Sequence, residues 1–129
     1  MANRYGEAAI LAARQAASGG TNPEAQWESA MEKLYPTSPT ARRKGGPRGA
    51  FLGLCEEGLV QGIPAGHYSA TRDHKNSAVR AVALLTEATQ SLSVSALWRA
   101  ITQDSEKPHG GQMDIVMALW KNDLIVRKS

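Results

Sequence analysis

A chain of 129 residues with 42% hydrophobic and 21% charged side chains lies in the ordinary range of a globular protein, long enough for one domain to bury most of its apolar surface without covalent staples. Its single cysteine excludes an intrachain disulfide and makes a reducing compartment the simpler expectation. Ile115 to Trp120, among the longest wholly apolar runs, falls far short of the roughly 20 residues a membrane span needs, and Met1 to Glu7 show no cationic segment leading into the apolar core of a secretion signal.

The net charge of +3 is a local feature. Arg42, Arg43, Lys44 and Arg48 fall within seven residues with no acid among them, and without these four the chain holds eleven basic against twelve acidic side chains.

In chain order, Asn3 to Ser18 is alanine-rich, with Tyr5, Ala8, Ala9, Ala12 and Ala16 on one helical face, Asn3 able to cap it and Gly19-Gly20 to end it. Its small side chains suit close approach to a neighbouring helix. A second helix is marked by the capping-box spacing of Thr21 and Glu24, by Pro23 in the first turn, and by Trp27, Ala30, Met31 and Leu34 at the i, i+3, i+4, i+7 positions. Pro36 stops it. From Pro36 to Gly46 the composition turns to Pro, Thr, Ser, Arg, Lys and Gly, a loop with room for one helical turn after Ser38-Pro39.

Pro47 to Pro64 carries the sharpest local signals. Pro47 suits the first helical position, Phe51, Leu54, Cys55 and Leu59 recur at helical spacing, and Gly58 can adopt the left-handed conformation that ends a helix, with Leu59 folding back on Leu54. The spacing predicts a central helix over about 47–57. Ile63 to Lys75 reads as a second irregular stretch. Three further helices follow, over about 77–89 with Ala78, Val82 and Leu85 buried, from a Ser93 cap with Val94, Leu97, Trp98 and Ile101, and over about 112–121. The last presents apolar residues on two sides, so it should be the most enclosed. Lys107 to Gly111 is a turn, and Leu124 to Val126 a tail or a short strand. No run alternates long enough for a sheet. The expected fold is a single all-α domain over residues 1–129, a compact bundle of about six short helices.

The most informative chemistry is the basic run from Arg42 to Gly49, which puts cations and glycines just before a helix N-terminus, where unpaired N–H groups and the macrodipole favour an anion. It is not a Walker A loop, because the lysine precedes the glycines and no Ser or Thr follows in the required place. Its ordinary reading is a solvated linker. Cys55, His67, His74 and Asp73 could be assembled on paper into a thiol, base and orienter, but their spacing carries no motif and Cys55 shares the apolar face of Phe51, so a buried structural thiol is the better reading. His67 and His74, with His109 distant and no second cysteine, make a poor metal set. Glu56 and Glu57 are adjacent, about 100° apart around a helix, and do not form a dyad. Carboxylates there oppose the macrodipole. A helix-turn-helix from the last two helices is disfavoured by the long connection from Asp104 to Gly111 and by an apolar recognition helix bearing Asp114. Trp27, Trp98 and Trp120, like Met113 and Met117, sit at core spacing.

The opening Asn3-Arg4-Tyr5-Gly6-Glu7-Ala8-Ala9 and the block Gly49 to Val60, continuing to Gly62-Ile63-Pro64, resemble those of a family of small uncharacterised bacterial proteins, some of them associated with mobile elements. The resemblance is closest over the first half and implies no activity, cofactor or site residue. It marks the central block as a structural signature.

The function expected from the residues is binding without catalysis, in the cytoplasm and away from membranes, with no catalytic residue, metal or cofactor. The contact surface is Arg42, Arg43, Lys44 and Arg48, with Arg72 and Lys75 of the second irregular stretch as neighbours. The partner expected is an acidic protein surface or a nucleoprotein complex. A nucleic-acid-binding regulator that contacts the phosphate backbone is the alternative, and an enzyme with an unfamiliar site ranks third. Oligomeric state is left open.

Overall fold

The computed structural model describes residues 4–17, 22–43, 45–68, 72–88, 92–102 and 112–126. Among these the chain is all-α: α1 Arg4–Ala17, α2 Pro23–Leu34, the single turn α3 Pro39–Arg42, α4 Gly45–Glu56, α5 Arg72–Glu87, α6 Val94–Thr102 and α7 Gln112–Lys121. The six expected helices are present, and the turn expected after Ser38-Pro39 is α3. The expected Asn3 cap, the Gly19-Gly20 stop and the turn from Lys107 to Gly111 lie outside the described residues.

Helix α1 buries Ala8, Ala9, Ala12, Ala13 and Ala16, and the absence of bulk on that face lets α2 and α7 pack closely against it. At Gly6 an added Cβ would come within 2.9 Å of the Ala118 Cβ on α7. At the start of α2 the cap is Asn22 in place of the expected Thr21, which lies outside the described residues. The Asn22 side chain accepts from the Glu24 and Ala25 N–H groups at 3.0 and 3.3 Å, and Pro23 then occupies the first turn, where its missing N–H is no loss. At the far end of α2, Arg4 Nη1 donates to the Leu34 carbonyl at 3.0 Å, placing a cation at the negative end of the helix. Tyr5 and Tyr35 pack beside it with ring centroids 5.1 Å apart.

Helix α4 is apolar nearly all round and is enclosed accordingly. Ala50, Phe51, Leu52, Leu54 and Cys55 are fully buried, and Phe51 stacks on Trp27 at 5.3 Å. The helix begins at Gly45, two residues before the expected start at Pro47, because the first four N–H groups of a helix have no intrahelical partner and a proline is harmless at any of the first turn's positions. Its C-terminus closes as the residues suggest. Gly58 takes φ +69°, its N–H donates to the Cys55 carbonyl at 3.0 Å and the Leu59 N–H reaches back to Leu54 at 2.9 Å, the paired bonds of a Schellman cap.

Helix α5 departs most from expectation. It starts at Arg72, so Arg72 to Lys75 are helical and the irregular stretch after α4 is shorter than the sequence suggests. The reason is tertiary. Gly45, Gly49 and Gly53 recur every four residues and so line one face of α4, and the first turn of α5 lies in the furrow they leave. A Cβ on Gly49 would come within 2.5 Å of the His74 Cβ, and one on Gly53 within 2.6 Å of the Lys75 Cα.

Helix α6 is capped by Ser93, whose Oγ accepts from the Ala96 N–H at 3.1 Å, and buries Leu97, Trp98 and Ile101. Helix α7 packs against α1, α4, α5 and α6 and buries Gln112, Met113, Ile115, Val116, Met117 and Leu119; it is expected to be the most enclosed, but α4, buried from Pro47 to Cys55 except at Arg48, buries the larger share. It ends in a second Schellman cap, with Asp123 at φ +57° and the Leu124 N–H donating to Leu119 at 2.9 Å. The segments leaving α4 and α7 then meet. Gln61 N–H donates to Leu124 and Val126 N–H to Leu59, both at 2.7 Å, around the isolated antiparallel bridge of Val60 with Ile125. The expected tail or strand is thus one bridge residue with a fixed partner.

Two glycine replacements separate furrow from propensity. Gly53→Ala sets its methyl against the α5 backbone and should cost about 1–3 kcal/mol. Gly45→Ala, whose Cβ would meet only the His74 Cε1 at 3.7 Å, should be neutral or slightly stabilising. Urea denaturation of the two variants against the parent chain measures the difference.

Candidate functional site

The α3–α4 corner is where the basic residues fall. Arg42 closes α3, with its N–H bonded to Ser38 at 3.2 Å, and the Arg43 N–H donates to both Pro39 and Thr40 at 3.1 and 3.3 Å. Gly45 and Gly46 form the first turn of α4, and Arg48 stands on the helix itself. The expected glycine-rich loop is therefore a tight corner between two helical segments. Gly49, the last glycine of the run, admits the approach of α5, a role visible in the sequence only as its four-residue spacing from Gly53.

Arg43 is exposed, and Arg42 and Arg48 are partly exposed. Lys44 lies outside the described residues. Among the described residues, no carboxylate comes within ion-pair distance of Arg42, Arg43 or Arg48, and the first turn of α4 holds no acid. The positive end of the α4 macrodipole thus falls in a stretch of arginines that have no ion-pair partner among the described residues. His74 reaches the same region, with Cε1 facing Gly45, and its buried Nδ1 has no hydrogen-bond partner among the described residues.

Lys75 is placed differently. Its Nζ lies 3.2 Å from Glu56 Oε1 and 3.0 Å from Glu57 Oε2, near the C-terminus of α4, about 16 Å along the axis from Gly45 at 1.5 Å per residue. The hydrogen bonds it donates, first to Glu57 and then to Glu56, raise its pKa, so the ammonium is held charged and already shared between two acids. Lys75 therefore does not extend the cationic corner. Glu56 also accepts from the Tyr68 N–H at 2.8 Å, and its carbonyl accepts from the Gly66 N–H at 3.2 Å. A carboxylate opposing the macrodipole is thereby compensated by a cation and a peptide donor, and it fastens residues 66–68 and α5 to the end of α4. Arg72 is the first residue of α5 and exposed.

The thiol assembly does not form. Cys55 is fully buried, and burial, with Glu56 beside it, pushes its pKa far above the usual thiol range. His74 rests on α4 at Gly49, six residues away, which is about 9 Å along the axis and about 120° around it. His67 and Asp73 are exposed. Among the described residues, no three His, Cys, Asp or Glu side chains gather in a metal-binding arrangement, and no helix is long and apolar enough to cross a membrane. His109 lies outside the described residues. The helix-turn-helix idea is also excluded in its α7 half, since α7 is enclosed by four neighbours and cannot enter a groove of DNA.

A family model described as a family of unknown function, DUF6979, matches residues 2–126. The chain belongs to that family. The match runs through both Schellman caps and the bridge residue Ile125, well beyond the first half where the sequence resemblance is closest. No curated protein and no solved structure matches the chain.

Two outcomes check this geometry. The Cys55 thiol should resist a soluble alkylating reagent at neutral pH until the chain unfolds, so that labelling follows the unfolding curve. Glu56→Ala, which strips an acceptor from the Tyr68 N–H and from Lys75, should cost about 1–3 kcal/mol in urea denaturation.

Proposed function

We propose that this protein works by binding, without catalysis, and that Arg42, Arg43 and Arg48 at the start of α4 contact an anionic partner, an acidic protein surface or a nucleoprotein complex. Lys44 belongs to the same run of sequence, and Arg72 is an exposed neighbour at the start of α5. The observation that supports this reading is the set of guanidinium groups with no carboxylate at ion-pair distance among the described residues, beside a helix N-terminus that holds no acid in its first turn. Charge arranged this way mainly speeds and orients docking. The sealed thiol removes the one nucleophile that the sequence offered for catalysis.

The test is fluorescence anisotropy with two labelled probes, a polyglutamate peptide and a duplex DNA of about 20 base pairs, from about 50 to about 200 mM salt. The chain carrying Arg42→Ala, Arg43→Ala and Arg48→Ala should keep its helical circular dichroism, since such charges contribute little to stability, and should lose binding. Capture of polyglutamate identifies acidic protein as the target class. Capture of DNA with a salt slope that falls by about 2–3 in the triple variant identifies the phosphate backbone. No binding of either probe at about 50 mM salt, or binding indifferent to the triple replacement, overturns the proposal.

A further inference from the structure

We draw no further inference here: the strongest candidate, the open apolar cleft of about 280 Å³ between α5 and the Val60–Ile125 bridge, lined by Leu59, Val79, Val82, Ala83 and Val126, is an unpartnered face, and nothing among the described residues shows what covers it.

Discussion

Helix α5 can lie where it does because Gly49 and Gly53 leave one face of α4 bare. At Gly49 and Gly53 the separation is too small for a single methyl group. Backbone packed against backbone places the first turn of α5 directly over α4, and the remaining arrangement follows. His74 is carried to the start of α4 and Lys75 to its end. The apolar stripe of α5 is turned partly inward onto α7 and partly outward beside Leu59. Tight-packed interiors transmit such constraints because they hold little free volume to absorb them.

The electrostatics of α4 divide along the same line. Its C-terminal end is internally settled, with Glu56 and Glu57 sharing Lys75 and with Glu56 also holding the Tyr68 peptide. Its N-terminal end has guanidinium groups without such partners among the described residues. A helix dipole with one end compensated inside the protein and the other turned to solvent gives the molecule a polarity along that axis, although the net charge is small.

Much of the fold was legible because its signals are local. Pro23, Ser93 and Gly58 act within one turn of their own position, and Trp27, Leu97 and Met113 fall at spacings that a helix alone makes meaningful. The start of α5 was hidden for the opposite reason. Arg72, Asp73, His74, Lys75 and Asn76 show no apolar periodicity, and they are helical because of what α4 offers across the interface. Thr21 and Asn22 are both competent caps, and Pro23 decided between them by where it sits in the first turn. The candidate site was legible as a run of cations. What could not be read was how the glycines in that run are used: Gly45 and Gly46 open α4 and Gly49 admits α5, and Lys75, close to Arg72 in sequence, belongs to a different charge cluster.

The bridge between Val60 and Ile125 has a consequence for how the chain reaches this structure. It joins segments 65 positions apart, and the enclosed α7 comes after every helix it covers. A growing polypeptide on the ribosome can therefore make α1, α2, α4 and α5 in turn, but their alanine, phenylalanine and leucine faces have no cover until α7 has emerged. Contacts this distant along the chain form slowly. Until they form, the nascent protein presents the kind of surface that chaperones bind.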